Sequence, residues 1–307
     1  MKKILVLYFT QSGQLKDILM HLTKDIQEQC VIDFHEIKPQ IPFPFPWTAA
    51  TFFDAMPESV FRIPIPIEDM PLLKEQDYDL VILGYQPWFL SPSQPTTGFL
   101  KSKWAAVLEN KPIITVLGTR NMWLNAQECV KEELNRLNAK LVGNIVLEDK
   151  HGNLTSTLTI IRWLFKGQKE ASSRLPAAGV SDEDISNVSR FGKPILKYLI
   201  NTDLEDLQAE LLKQNAITLH PNLITLEKRG VSQFPKFAKR AIAKGGPGSE
   251  ARKPIIKTFQ NLLIVAIFVL SPITSLTAKI KTALNKKALL KEVNYFKNTT
   301  FKSGKFK

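Results

Sequence analysis

Hydroxyl and glycine residues cluster where the first apolar run of the chain gives way to a periodic segment. The cluster consists of Thr10, Gln11, Ser12, Gly13, Gln14 and Leu15. Residues 3–10 predict a β-strand, and the apolar spacing over residues 14–29 predicts a helix. Hydroxyls, backbone N–H groups and a helix N-terminus together stabilise a phosphate. Gly13 permits close backbone approach or a positive φ. The loop is therefore typical of a phosphate site.

Aromatic and polar residues follow three later predicted strands. The loops contribute the candidates Tyr85, Gln86, Pro87 and Trp88, then Gly118, Thr119, Arg120 and Trp123, and finally Asp149 and His151. Trp88 and Trp123 are candidates to stack on a flat conjugated ring, with simple packing as the alternative. Tyr85 and His151 are candidate proton-transfer groups, and a solvated loop histidine is the alternative for His151.

Five apolar runs alternate with helical patterns over the first 150 residues. The strands are predicted at 3–10, 31–37, 78–85, 112–118 and 141–147, with further helices at 97–109 and 125–138. Continuous apolar strands separated by helices predict a parallel sheet covered on both faces. Five strands suit the flavodoxin-like α/β order 2-1-3-4-5, which places all these loops at one edge.

The first loop resembles the phosphate loop of flavodoxins, Thr/Ser-x-Thr/Ser-Gly-x-Thr, which implies FMN as the cofactor. Leu15 departs from this pattern because it stands where the family has a hydroxyl residue. We expect no metal site, since Cys30 and Cys129 show no ligand spacing.

Residues 39–73 interrupt the alternation with eight prolines, and with six aromatic residues from Phe43 to Phe61. A connection of this length is usually functional or disordered, and its aromatic content argues against disorder. We interpret it as a lid over an apolar substrate; a packed surface excursion is the alternative.

The positive charge of the chain lies in its C-terminal part. Residues 1–190 have 20 Lys+Arg and 22 Asp+Glu, whereas residues 228–307 have 18 Lys+Arg and 2 Asp+Glu, a net charge of +16. We therefore predict a domain over 1–190 and a basic helical region over 191–307, with helices at 194–214 and 235–244. Such a region requires an anionic partner, either nucleic acid or lipid.

An uncharged segment, residues 258–278, lies between the basic stretches. No nucleic-acid module is recognisable, and the segment favours an anionic membrane surface. We expect a cytoplasmic protein held peripherally or monotopically on the inner membrane. A helix buried against the α/β domain is the alternative.

Three segments, residues 1–19, 81–100 and 111–128, resemble the flavodoxin-like enzyme of bacterial dialkylresorcinol and flexirubin pigment pathways. The resemblance implies FMN-dependent aromatisation of a lipophilic 2,5-dialkylcyclohexane-1,3-dione, made by a ketosynthase-like partner, to a dialkylresorcinol. It assigns no catalytic residue. Two alternatives remain: a membrane-associated NAD(P)H:quinone or flavin reductase, and a non-catalytic electron carrier.

Overall fold

The computed structural model describes residues 1–74, 77–201, 206–270 and 286–306 of the 307-residue chain. Its strands, in chain order, are β1 (Lys2–Tyr8), β2 (Cys30–Glu36), β3 (Leu80–Tyr85), β4 (Pro87–Trp88), β5 (Ser91–Pro92), β6 (Pro112–Thr119) and β7 (Lys140–Glu148). Five of them form a parallel sheet in the order β2-β1-β3-β6-β7, while β4 and β5 form a short antiparallel hairpin. The flavodoxin-like α/β fold is therefore confirmed.

Helices cover both faces of the sheet. They are α1 (Gln14–Thr23), α2 (Ala49–Asp54), α3 (Met56–Val60), α4 (Gln94–Leu100), α5 (Leu124–Arg136), α6 (Asn153–Lys166), α7 (Asp182–Ser186), α8 (Gly192–Ile200), α9 (Leu207–Lys213), α10 (Pro221–Ile242), α11 (Lys253–Val265) and α12 (Lys286–Lys297). One core contains α1, α7, α8 and α9, and the other contains α4, α5 and parts of α10 and α12. Because both faces are covered, the central strands are apolar along their length, as in β3, where all six residues are buried.

Some helix limits differ from the predicted ones. Helix α1 ends at Thr23, whose hydroxyl donates to Leu19 O at 2.9 Å, and the chain then turns instead of continuing to residue 29. The helix predicted at 97–109 is α4, which begins earlier, followed by a 3₁₀ segment at Lys103–Leu108. The helix predicted at 194–214 consists of α8 and α9.

Helix α10 replaces the short helix predicted at 235–244. It runs for 22 residues and holds Pro235 in its interior. Four described residues of α10 are buried: Ile224, Glu227, Ala238 and Ala241. Successive members of this set are 3, 11 and 3 residues apart, a spacing that places all four on the same face of the helix. Packing of this face outweighs the hydrogen bond that the proline removes.

A third core joins the 39–73 segment to the C-terminal region. Phe53 of α2 and Met56 of α3 pack with Ala238 of α10 and with Ile256 and Phe259 of α11. Helix α11 continues as a π-helical turn over Ala266–Leu270. Residues 271–278 of the predicted uncharged segment, and the cations Lys279 and Lys281, lie outside the described residues. Over the described part of the chain, no helix is long and apolar enough to cross a bilayer.

Candidate functional site

The loop between β1 and α1 forms an open cradle at the carboxyl edge of the sheet. Gly13 has φ +87°, and a β-carbon built on it would meet no atom within 4 Å. Thr10 Oγ1 accepts a hydrogen bond from Gly13 N at 3.1 Å, and no side chain caps the N-terminus of α1. The first N–H groups of a helix have no partner within it, so they are available to an anion. Together with half-buried Ser12, this geometry fits the phosphate of FMN.

Gln11 and Gln86 position the cradle. Gln11 N donates to Gln86 Oε1 at 3.0 Å, which ties the loop to the end of β3. The Gln11 side chain donates to Phe43 O at 3.3 Å and to Pro44 O at 3.1 Å. These two predicted cofactor residues therefore join the phosphate loop, the end of β3 and the 39–73 segment.

Three further predicted cofactor residues, Gln14, Leu15 and Gly118, make contacts within the protein. The Gln14 amide exchanges two hydrogen bonds with the backbone of Val180, at 2.9 and 3.1 Å. Leu15 is buried in the core under α1. A β-carbon on Gly118 would lie 3.0 Å from Ile18 Cδ1, so this glycine lets β6 approach α1. The Gln14 and Leu15 side chains are therefore engaged within the protein, and cofactor contact by these three residues stays a prediction that would use their backbone N–H groups.

Trp88 lies in a cluster of aromatic rings beside the cradle. Its ring centroid is 5.7 Å from that of Phe9, 5.0 Å from that of Phe43 and 5.4 Å from that of Trp47. Pro87 and Trp88 pair with Pro92 and Ser91 in the β4–β5 hairpin. Trp88 is only half-buried, and it thus remains a candidate to contact a ring.

The turn of this hairpin holds two non-glycine residues at positive φ. Phe89 has φ 48° and Leu90 has φ 65°, values that cost strain and that surrounding contacts must hold in place. The Phe89 ring lies 4.9 Å from that of Phe52, and Asn125 Nδ2 donates to Leu90 O at 2.7 Å. The structure therefore fixes the turn beside Trp88 from two directions.

Tyr85 and Trp123 lie in the core of the protein. Tyr85 is fully buried, its hydroxyl donates to Gln127 Oε1 at 2.6 Å, and burial raises its pKa well above the ordinary value. Trp123 is 1% exposed, and its Nε1 donates to Glu148 Oε1 at 2.8 Å. These contacts favour the packing alternative for Trp123, and the proton-relay role of Tyr85 stays a prediction that its buried hydroxyl does not support.

Arg120 and Thr119 hold the loop after β6. Arg120 Nη1 donates to Asn153 O at 3.2 Å, to Asn153 Oδ1 at 3.1 Å and to the Thr157 hydroxyl, all on α6. Desolvation lowers the Arg120 pKa to about 10. Thr119 O accepts from Asp149 N at 3.0 Å. Both residues thus serve to position neighbouring loops.

His151 and Asp149 form a polar pair at the same edge. Asp149 Oδ1 lies 2.7 Å from His151 Nδ1, and its Oδ2 accepts from Ser156 Oγ at 2.7 Å. The Asp149 carboxylate is fully buried, whereas the His151 side chain is 39% exposed. This arrangement orients the imidazole and leaves its Nε2 free of that carboxylate, so His151 keeps the geometry of a proton-transfer candidate.

Two buried carboxyl groups were not predicted. Glu227 Oε1 accepts from Asn125 N at 2.7 Å, at the start of α5, while its buried Oε2 has no partner among the described residues. Desolvation raises the pKa of Glu227 to about 8 and that of Glu148 to about 7. His220 Nε2 lies 3.5 Å from Glu148 Oε2. Asn125 and Glu227 are 102 residues apart, so no local pattern could reveal this contact.

No protein-family model matches the chain, and no curated protein matches it. Among solved structures it is similar to a flavodoxin from the domain Archaea, with 13% identity over 64% of this chain and 99% of that chain and a TM-score of 0.38. It is also similar to a flavoprotein in complex with FMN from Lactobacillus acidophilus (16%, 48% and 93%, TM-score 0.37). A third is the flavoenzyme NAD(P)H:(acceptor) oxidoreductase FerB from Paracoccus denitrificans (16%, 66% and 98%, TM-score 0.33). At these values the fold assignment rests on the strand order of the chain itself.

Proposed function

We propose that this protein is an FMN-dependent oxidoreductase that aromatises a lipophilic 2,5-dialkylcyclohexane-1,3-dione to a dialkylresorcinol. The observation that carries the proposal is the cradle before α1, where Gly13 leaves open space in front of a helix N-terminus that no side chain caps. The specific substrate comes from the resemblance to the dialkylresorcinol enzymes, in which a ketosynthase-like partner supplies the dione.

The residues of the chain divide into three roles. Thr10, Ser12, Gly13 and the first turn of α1 bind the phosphate. Trp88, together with Phe43 and Trp47, forms the apolar wall against which the flat ring and the alkyl chains pack. His151, oriented by Asp149, accepts the proton.

The reaction removes two hydrogens from the substrate. One leaves as a hydride and the other as the acidic proton beside a carbonyl, and tautomerisation then gives the resorcinol. FMN, when bound, supplies the two-electron acceptor. The His151 imidazole takes the proton at Nε2, and the buried carboxylate of Asp149 stabilises the imidazolium that forms.

An anaerobic single turnover tests this proposal. Protein reconstituted with FMN should lose its visible flavin absorbance when a dialkylcyclohexane-1,3-dione is added, with formation of an equal amount of resorcinol. The variant Gly13→Asn should fold normally, because asparagine tolerates positive φ, but its side chain fills the cradle and abolishes FMN retention.

Gly152→Asn is the matched control. Gly152 also precedes a helix and has open space around it, but its φ is −54° and it lies before α6. This variant should retain FMN, and FMN retention is the property that it controls. Refolded wild-type protein that takes up no flavin would disprove the cofactor assignment. Bleaching by NADPH with transfer to a quinone, and no response to the dione, would establish a reductase instead.

A further inference from the structure

The second half of α11 is apolar on all sides and exposed. Leu262 is 50% exposed, Ile264 43%, Val265 45% and Val269 53%. None of the residues from Leu262 to Val269 is buried, and none carries a charge. A helix that is apolar all round belongs in a protein core or in lipid, and in the described structure this part of α11 lies in neither.

The first half of α11 is fixed in the protein. Ile256 and Phe259 are buried, and the Phe259 ring lies 5.0 Å from that of Phe234 of α10. The helix therefore projects its apolar end from a rigid base. From residue 262 to residue 270 this end is about 13 Å long at the helical rise of about 1.5 Å per residue. Over these described residues, a segment of this length suits insertion into one leaflet.

Positive charge surrounds the base of this projection. From Lys236 of α10 through the following turn to the end of α11, the exposed cations are Lys236, Lys239, Arg240, Lys244, Lys253 and Lys257. Glu250 pairs with Lys253, and no Asp or Glu occurs from residue 251 to residue 291. A second copy of the chain docked through the same face would oppose these cations to each other. An anionic lipid surface complements them instead.

We infer that the apolar end of α11 inserts into an anionic membrane leaflet, while the cations of α10 and α11 bind its headgroups. The surface formed by these residues is called the lipid face. The lipid face contains part of the uncharged segment and part of the basic segment that the sequence shows. The partner that we infer for this region is a lipid bilayer.

The lipid face leads to the proposed cofactor site through a row of aromatic rings. Phe259 lies 6.2 Å from Phe89, Phe89 lies 4.9 Å from Phe52, and Phe52 lies 5.8 Å from Trp47. Trp47 in turn lies 5.4 Å from Trp88. These ring contacts therefore connect the lipid face with the cradle that the proposed function assigns to FMN. That connection rests on the proposed function, whereas lipid binding stands without it.

Vesicle sedimentation of the full-length chain tests the inference. Wild-type protein should bind vesicles of mixed phosphatidylglycerol and phosphatidylcholine at least ten times more tightly than vesicles of phosphatidylcholine alone. The triple variant Leu262→Ser, Val265→Ser, Val269→Ser should lose at least tenfold of that affinity. Salt should weaken the wild-type binding only in part, since apolar insertion is not screened.

The matched control places the same changes on exposed apolar residues elsewhere: Met20→Ser, Leu72→Ser and Ile200→Ser. This control should bind vesicles like the wild type. Both variants should keep the thermal unfolding temperature of the wild type, because all six side chains are exposed. Equal vesicle binding by the two triple variants would overturn the inference, as would full-length protein that ignores anionic vesicles. Self-association that the α11 variant abolishes, without vesicle binding, would assign the face to a second copy. No flavin is needed for these measurements, so their failure is distinct from failure of the proposed function.

Discussion

Glu148 and Glu227 are buried carboxyl groups whose pKa values the fold raises into the neutral range. Burial raises their pKa values to about 7 and about 8, and the charge of Glu148 contributes to the rise at Glu227. Among the described residues, no Lys or Arg lies within ion-pair distance of either carboxyl group, and His220 Nε2 lies 3.5 Å from Glu148 Oε2. A raised carboxyl pKa means that the folded state binds a proton which the unfolded state has already lost.

We expect the free energy of unfolding to fall as the pH rises from about 5 to about 8.5. The unfolded carboxyl groups titrate near pH 4.3, so between that value and the folded pKa values each pH increase favours unfolding. Glu227→Gln removes the titration and keeps an acceptor for Asn125 N, and should reduce this pH dependence. Urea unfolding at both pH values measures it. The exposed Glu109→Gln should leave the dependence unchanged, and an equal slope in Glu227→Gln and wild type would contradict the prediction.

The sequence could predict that aromatic residues lie at the edge of the sheet, but it could not predict whether each side chain is buried or exposed. Trp88 and Trp123 both follow strands, and only Trp88 is partly exposed, because Trp123 donates to Glu148 across 25 residues. Gly13 was identifiable because its role depends on local backbone geometry. The burial of Tyr85 could not be predicted, because it depends on tertiary packing against α5.

The short helices α2 and α3 are tied to the C-terminal region by a buried guanidinium. Arg252 is fully buried; its Nε donates to Asp54 Oδ1 at 2.6 Å and its Nη1 to Glu58 Oε1 at 2.7 Å. Asp54 also accepts from Gly248 N at 2.8 Å. The proline-rich segment therefore packs against α10 and α11. Its function as a lid remains a prediction, and opening would have to break these contacts.

Removing the Arg252 charge should destabilise this junction by about 3–5 kcal/mol, the usual cost of leaving a buried partner charge uncompensated. Arg252→Met retains apolar bulk, so the loss reports mainly on Asp54 and Glu58. Urea unfolding measures the change, with the exposed Arg240→Met as control. Adding Glu58→Gln to Arg252→Met should recover part of the loss. A loss below about 1 kcal/mol would show that the ion pairs are not important for stability.

The strands of the sheet could be predicted from the sequence more reliably than the C-terminal helices. Apolar runs such as β3 define buried parallel strands directly. Helix α10 crosses Pro235, a residue that a local reading treats as a boundary, because tertiary packing of Ala238 and Ala241 continues the helix. Tertiary packing of this kind cannot be predicted from a local segment of the sequence.

At the scale of the whole molecule, the basic C-terminal region completes the core of the α/β domain. Helix α12 buries Tyr295 and Phe296 in the core that also contains α4 and α5. Tyr295 Oη donates to Glu128 Oε2 at 2.5 Å, and Lys131 Nζ donates to Asn298 O at 3.0 Å. The basic C-terminal region and the α/β domain therefore share a hydrophobic core, although their net charges differ.

Truncating Phe296 tests whether this last helix stabilises the whole protein. Phe296 is 2% exposed, and Phe296→Ala should lower the free energy of unfolding by about 3–5 kcal/mol through lost burial and the cavity left behind. Leu290→Ala changes a residue of the same helix that is 51% exposed, and should cost less than about 0.5 kcal/mol. Urea unfolding followed by two probes, helix content and tryptophan fluorescence, measures both. Because Phe296 packs in one core with the central strands, the two probes should shift together to lower urea. A shift confined to helix content, with the tryptophan transition unchanged, would mean that α12 unfolds independently of the sheet.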